Sequence, residues 1–324
     1  MSIVPDFLMH MGGVPVGMEI LQPQEVRWVY HSATSQIAKR LKEKIDPTKL
    51  HAEIVTAETK VTAGQNEIVF MTPESHTLSA ALTWDNSNTH IIGMHSGSPW
   101  SNSVKLTQSG ATAQSPAITI SGSDCLISNI HFEMAGSSAN QHILVSNTGS
   151  GNHYNQCWFE GPTNATQADD TSVELVTVDG GGNYFNECVF GTTACDTNGA
   201  AKLGFTGQAY RSTFKDCIFY HQASGTSATF IDISATQDIS GPQFFKNCIF
   251  VSWWNNQADR IAQALRSEVG LQSGAVIFDS NCIFVGCDAI TTGGVLGVYS
   301  GHPLTAAHDG VYAGLIESVQ GTEP

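Results

Sequence analysis

Five cysteines recur in nearly the same surroundings: FKDCIF (214–219) and FKNCIF (245–250), with FNECVF (185–190), YNQCWF (154–159) and SNCIF ending at Phe284 as variants. A cysteine can serve as nucleophile, metal ligand or disulfide partner. A nucleophile is needed once, and a disulfide framework needs no fixed period. Zinc sites favour paired Cys or His at short spacing, yet the chain has no CxxC and no His in the repeated slots. The cysteines Cys157, Cys188, Cys217, Cys248 and Cys282 stand at nearly even intervals along the chain, and Ile130 holds the same slot one step before Cys157. That regularity points to buried packing positions, with a metal or redox role as the alternative.

Other groups could carry acid–base chemistry. Hydrolysis of a glycosidic bond uses two carboxyl groups flanking it. The candidates are Glu160, Asp169, Asp170, Asp179, Asp196, Asp232 and Asp238. Asp169 and Asp170 lie in the loop PTNATQADDTS, and Asp179 opens a glycine turn, both ordinary places for Asp. Beyond Lys105 the basic residues are Lys202, Arg211, Lys215, Lys246, Arg260 and Arg266, a thin supply for a cleft that holds an anionic sugar chain. His131, His142 and His153 follow one another at spacing eleven, which is not the period of the repeats and so does not stack them. No Ser/His/Asp, P-loop or metal-ligand pattern stands out. We expect no catalytic residues, no cofactor and no metal.

These residues are positioned by the repeat itself. An aromatic stands three before the cysteine in four copies (Tyr154, Phe185, Phe214, Phe245) and four before it in the last (Phe278). A short apolar or β-branched run precedes each: AITI (117–120), HILV (142–145), VELVTV (173–178), ATFIDI (228–233) and AVIF (275–278), with KLGF (202–205) a weaker copy. Gly-rich turns such as NTGSG and DGGGN join the blocks. Periods of roughly 20–50 residues mark solenoids or arrays, and units this short bury their apolar face only by stacking. The prediction is an all-β chain folded as a parallel β-helix, over residues 61–292. A propeller is the competing repeat, but it needs four antiparallel strands per blade, and each unit here offers three short strands.

Cys and Phe are two apart and share a face, so the residue between them points the other way. It is His131, Trp158, Val189, Ile218, Ile249 and Ile283 in successive copies. Contiguous apolar surface on a soluble protein marks a contact. The stripe Trp158, Val189, Ile218, Ile249 and Ile283 is therefore a candidate subunit contact; the alternative is that the chain's own loops or terminal arm cover it.

Residues 1–60 are expected to form an arm with a capping helix, HSATSQIAKRLKEKI (31–45), whose apolar side is Ile37, Leu41 and Ile45. Spacing-four apolar residues Ile261, Leu265 and Val269 predict a helical insertion near 256–269, and Trp253-Trp254 would pack beneath it or offer a carbohydrate platform. Residues 293–324 read as a C-terminal tail.

The charge is −15 over 324 residues. Residues 1–60 hold 7 of the 14 Lys and Arg and 7 acids, so the remainder carries the whole imbalance. An acidic body argues against nucleic acid and anionic membrane as partners. No segment reaches the ~20 apolar residues that span a bilayer. The N-terminus MSIVPDFLMHMGG lacks a basic, long-apolar leader, so synthesis in a cytoplasm and reduced cysteines are expected.

The run NEIVFMTPESHTLSAALTWDNSNTHIIGM (66–94), followed by NCIF-type coils, resembles the pectate-lyase-like right-handed β-helices, in the form found among structural proteins of tailed phages. The GGVPVG arm is similar to the leaders of some such virion proteins. The polygalacturonase-type series of Asn-x-Asp, Asp-Asp and Gly-His-Gly is missing, so catalytic residues do not carry over. The resemblance implies a virion structural protein made in the host cytoplasm, held to capsid protein or another virion component by its N-terminal arm, and homotrimeric. Capsid decoration is favoured over a fibre. A tailspike-like polysaccharide-binding or polysaccharide-cleaving protein is the alternative.

Overall fold

The computed structural model describes residues 25–30, 35–94, 104–108, 115–136, 142–192, 198–207, 209–233, 239–254, 261–267, 275–291, 298–300 and 311–312. The chain is all-β with a few short helices, coiled as a parallel β-helix with three long sheets. Each coil contributes one strand to each sheet, and parallel crossovers of this kind are right-handed.

The first sheet runs in coil order from Val26–Val29 and Ile68–Met71 through His90–Gly93, Leu126–Ser128, His153–Asn155, Tyr184–Asn186, Thr213–Lys215 and Pro242–Lys246 to Ala275–Phe278 and Val298–Ser300. The second holds Ser75–Leu78, Lys105–Gln108, His131–Met134, Trp158–Glu160, Val189–Gly191, Ile218–Ala223, Ile249–Trp254 and Ile283–Val285. The third holds Leu82–Trp84, Ile118–Ile120, Ile143–Asn147, Glu174–Val178, Ala201–Phe205, Thr229–Ile233 and Leu265–Ser267. The apolar runs read from the sequence are third-sheet strands, except AVIF, which is the first-sheet strand Ala275–Phe278, and KLGF belongs to a full third-sheet strand.

Register does the packing. Phe185 lies opposite Phe214, and Phe214 opposite Phe245. Their rings stack at 4.6 and 4.7 Å, nearly parallel, and Tyr154 continues the column at 4.5 Å. Phe278 joins at 5.0 Å, so the extra residue in that copy is taken up in the turn after it, where Asp279 Oδ1 accepts from the Asn247 and Asn281 amides. A second column, Phe132, Phe159, Phe190, Phe219, Phe250 and Phe284, rises along the second sheet, and the two meet edge to face. Both columns are buried.

The cysteines occupy the corner between these sheets. Cys157, Cys188, Cys217, Cys248 and Cys282 are all 0% exposed, and each thiol donates to a backbone carbonyl in the preceding coil at 3.4–3.5 Å. Burial pushes the Cys188, Cys217 and Cys248 thiols well above the ordinary cysteine value, so they stay protonated and unreactive. The residue just before the cysteine makes the corner: Gln156, Glu187, Asp216 and Asn247 all have φ between 51° and 54°. Polar residues that tolerate the left-handed region favour such a bend.

The opposite corner depends on glycine. A Cβ on Gly180 would strike the Gly149 carbonyl, and one on Gly149 the Gly122 carbonyl, because backbone stacks directly on backbone. Inside this corner Asn147 Oδ1 accepts from Tyr154 Oη at 2.8 Å and from Asn152 Nδ2 at 2.9 Å, so the buried polar groups are paired.

The N-terminal end is capped. Helix Gln36–Lys44 forms with Ser35 as N-cap, burying Ala38 while Ile37, Leu41 and Ile45 are half-buried. The firmer cap is Ile54–Glu58, which buries Ile54 and Ala57 against the first coils. Val26–Val29 and Leu50–His51 pair into the first sheet, so the solenoid begins well before residue 61. Residues 1–24 of the arm lie outside the described residues. At the far end Val311–Tyr312 pairs antiparallel with Ile283–Val285, and Val298–Ser300 extends the first sheet. The rest of the tail lies outside the described residues.

The expected helical insertion is corrected: Ile261–Gln263 and Leu265–Ser267 are strands. Leu265 takes the register slot beyond Ile231, continuing the inward column of the third sheet, while Ile261 pairs with Cys287. Spacing-four apolar residues suit a helix, but backbone pairing with the coil below outweighs the local preference. Trp253, expected to pack beneath that helix, is 62% exposed.

Prediction: Phe214→Ala opens a cavity in the stacked column and costs about 3–5 kcal/mol in denaturant unfolding, while Thr213→Ala on the opposite face costs under about 1 kcal/mol.

Candidate functional site

Outward-facing residues line up in columns because the coils stack in register. On the second sheet the column through the Cys-x-Phe middle position runs Lys105, His131, Trp158, Val189, Ile218, Ile249, Ile283. It divides into two chemically different halves.

The first half is polar. Glu133 and Glu160 are register neighbours in the adjacent column. Lys105 Nζ lies 2.6 Å from Glu133 Oε1 and 3.8 Å from Glu160 Oε2. His131 Nε2 bonds Glu160 Oε2 at 2.7 Å. Thr107 donates to Glu133 at 2.9 Å and Thr192 to Glu160 at 3.2 Å. The Trp158 ring stacks on His131 at 4.1 Å, and its Nε1 donates to the Gly191 carbonyl at 2.9 Å. Burial raises the Glu160 carboxyl, but the His131 hydrogen bond, the His131 charge and Lys105 outweigh it, leaving Glu160 below the ordinary range. Glu160 is therefore ionised, and both carboxyl groups are held by the chain's own donors, which does not suit a proton-donating acid.

The second half is apolar. Ile218, Ile249 and Ile283 are half-buried, and Tyr220, Val251 and Val285 form a parallel half-buried column beside them. Val189 differs from the rest of the sequence-derived stripe: at 1% exposed it is covered by its own neighbours. Trp158 is also largely committed, to His131 and Gly191. Trp253, opposite Gln222, adds a large exposed ring at the margin. The strands Val189–Gly191, Ile218–Ala223, Ile249–Trp254 and Ile283–Val285 contain no Asp, Glu, Lys or Arg.

A further acid pair sits on the third sheet. Asp232 faces Arg266 in register, and the guanidinium grips it with Nε to Oδ1 at 3.1 Å and Nη2 to Oδ2. Arg266 Nη2 also donates to the Thr171 carbonyl at 3.1 Å, tying the loop before Glu174 to the sheet. Glu174 lays its carboxyl over Gly204, where a Cβ would collide with it. Burial, and then the charge of Asp232, push Glu174 from 4.5 up to about 8, with Arg266 opposing in part. Glu174 is thus held protonated near pH 7 beside a second carboxyl, an arrangement that acid–base chemistry can use. It is also what a buried clamp produces.

The remaining candidates are scattered. Asp170 caps its own loop by accepting from Ser172 at 2.8 Å and faces His142 at 3.6 Å. Asp169 ends the short helix Ala165–Ala168, and Asp179 stands in the glycine turn. His131, His142 and His153 fall on different sides of the coil and do not meet. Asp196, Asp238 and Arg260 lie outside the described residues. Among the described residues no group of three or more His, Cys, Asp or Glu could hold a metal ion.

Sequence reasoning named Glu160, Asp232 and Arg266 but missed Glu133, Glu174 and the role of Lys105. Glu133 could have been found: the step from Ile130 to Cys157 also takes Glu133 to Glu160. Glu174 leaves no such trace, since its approach to Asp232 depends on the missing side chain at Gly204.

No family model and no curated protein matches the chain. Solved structures do. A pectin methylesterase from Aspergillus niger superposes with a TM-score of 0.54 at 13% identity, over 86% of this chain and 84% of that one. The pectate lyase Pel9A gives 0.54 at 12%, over 80% and 62%. A pectin methylesterase mutant bound to a hexasaccharide gives 0.50 at 14%, over 78% and 77%. The chain has the pectate-lyase-like parallel β-helix fold. At these identities the likeness concerns the fold alone.

Prediction: Glu174→Gln gains stability relative to the parent as pH rises. The carboxyl stays protonated in the folded chain up to about pH 8 and ionises near 4.5 once unfolded, so it costs nothing below about 4.5. Its penalty grows between 4.5 and 8 and is constant above. Thermal unfolding at pH 4, 6 and 8.5 should show the gain increasing in that order.

Proposed function

We propose that this chain is a non-enzymatic structural protein of a phage virion, a β-helix carried at or near the particle surface and attached through its N-terminal residues. One observation carries the non-enzymatic reading: the second sheet gathers its acids into an internally neutralised network and leaves an uncharged apolar field beside them. Such a surface suits binding to protein, whereas hydrolysis wants an acid free to give up its proton to a substrate. The acid-rich body, net −15 with the near-neutral N-terminal segment set apart, suits a particle whose β-helices face solvent. The virion assignment itself rests on the sequence resemblance of the β-helix and its GGVPVG leader, and capsid decoration is the role it favours.

A polysaccharide-binding or polysaccharide-cleaving role is the second reading. The Glu174–Asp232 pair favours it, and the structural neighbours are named for pectin and pectate. Both carboxyls sit under a loop tied down by Arg266, which argues for a clamp.

Prediction: the protein co-purifies with particles of the phage that encodes it and is seen on them by antibody labelling. Incubated with polygalacturonate or its methyl ester, it releases neither unsaturated or reducing ends nor methanol. Absence from purified particles would overturn the virion reading. Turnover that is lost in Glu174→Gln would replace it with the enzymatic one.

A further inference from the structure

The first sheet is apolar on both faces at its N-terminal end. Val29, Val69, Met71 and Ile91 face inward and belong to the main core. On the outer face a separate cluster forms from Ile68, Phe70 and Ile92, with Val26, Trp28, Met94 and Leu126 packed against it. Register builds it: Val26 lies opposite Ile68, and Trp28 opposite Phe70, which lies opposite Ile92. The Trp28 and Phe70 rings are 5.0 Å apart. Ile68 is 0%, Phe70 2% and Ile92 5% exposed. Outward aromatics further along this sheet, Tyr184 and Phe244, are only half-buried. Neighbours standing side by side on one face leave each other's outer ends open, so full burial here requires a further layer of chain above. That burial exists in a single chain, so the layer belongs to the chain itself. The apolar field stops at Leu126, beyond which the same columns carry Ser128, His153 and Asn155.

We propose that residues 1–24 double back over this outer face and dock on Ile68, Phe70 and Ile92, so that the N-terminal segment is held by its own β-helix. The point of entry favours this occupant: the segment joins the fold at Val26–Val29, which is the first strand of the patch. Composition favours it too. Twelve of the 24 residues are Ile, Leu, Val, Met or Phe, none is Lys or Arg, and the acids are Asp6 and Glu19. The segment that follows Met94, 95–103, brings a single large apolar side chain, Trp100. Reach is sufficient. Three strands at a ~4.8 Å spacing make a patch about 10 Å across, and an extended chain covers ~3.3 Å per residue, so the stretch from Ile20 to Glu25 crosses it. The patch also asks for no buried polar partner. His90, opposite Ile68, already has Nε2 on Asn66 Oδ1 and Nδ1 accepting from the Leu126 amide. The inference goes beyond the virion reading and does not depend on it, since finding the protein on or off particles leaves this contact unchanged.

The test is photo-crosslinking of the full chain carrying p-benzoylphenylalanine in place of Leu21, with the linked peptides read by mass spectrometry. The expected product has the mass of one chain and joins residue 21 to Ile68–Met71 or His90–Gly93. A product at the mass of two chains, links to the other sheets, or no link to those strands overturns the proposal. A second measurement uses the full chain with Leu21→Asp. Opening the patch should raise the fluorescence of bound anilinonaphthalene sulfonate several-fold over wild type while cooperative unfolding is retained, and Trp100→Ser should leave it at the wild-type level. An unchanged signal in Leu21→Asp overturns the proposal. A rise in Trp100→Ser alone gives the cover to residues 95–103, which overturns it as well.

Discussion

In-register stacking of one coil on the next is the constraint on which everything else rests. A single coil has no interior in which to bury an apolar side chain. Once coils stack in parallel register, every residue acquires a copy of its own position above and below. Identical types then repeat because identical neighbours pack well: phenylalanine on phenylalanine at 4.6–4.7 Å, thiol over carbonyl at 3.4–3.5 Å. The corners follow from the same demand. Where backbone must lie on backbone the column is glycine, as at Gly149 and Gly180, and where the chain turns before the cysteine it is a polar residue at positive φ.

The same stacking makes surface chemistry columnar. A charge placed outward in one coil meets whatever occupies that slot in the next, so acids either repel or are bridged. Here they are bridged: Lys105 joins Glu133 and Glu160, and Arg266 grips Asp232. Glu174, with less help, gives up its charge instead. Where no charges are placed, as on the last four parallel strands of the second sheet, the columns become continuous apolar surface. A β-helix thus presents broad faces whose chemistry changes column by column.

Much of this was legible in the sequence. The repeat, the inward Cys and Phe, the outward middle residue and the helix ahead of the first coils could all be read from spacing, because translation along the solenoid preserves residue type. Legibility failed where the copies stop being alike. Ile261 and Leu265 have helical spacing, but their partners Cys287 and Ile231 are distant in the chain and nothing local announces them. The stripe was also read as uniform, whereas Val189 is covered by its neighbours and Trp158 is taken by His131 and Gly191.

What the sequence by itself determined is the translational part of the structure: which residue types face in, which face out, and that they do so coil after coil. The physical reason is that a periodic object shows its period in one dimension. The tertiary structure alone decided which outward residues meet across columns and how deeply each is covered. Glu174 lays its carboxyl over Gly204 because that residue lacks a side chain, and Trp253, placed beneath a helix by the spacing of its neighbours, is 62% exposed. Those outcomes depend on the winding of the coils and the distance between side chains in space, which no spacing along the chain records.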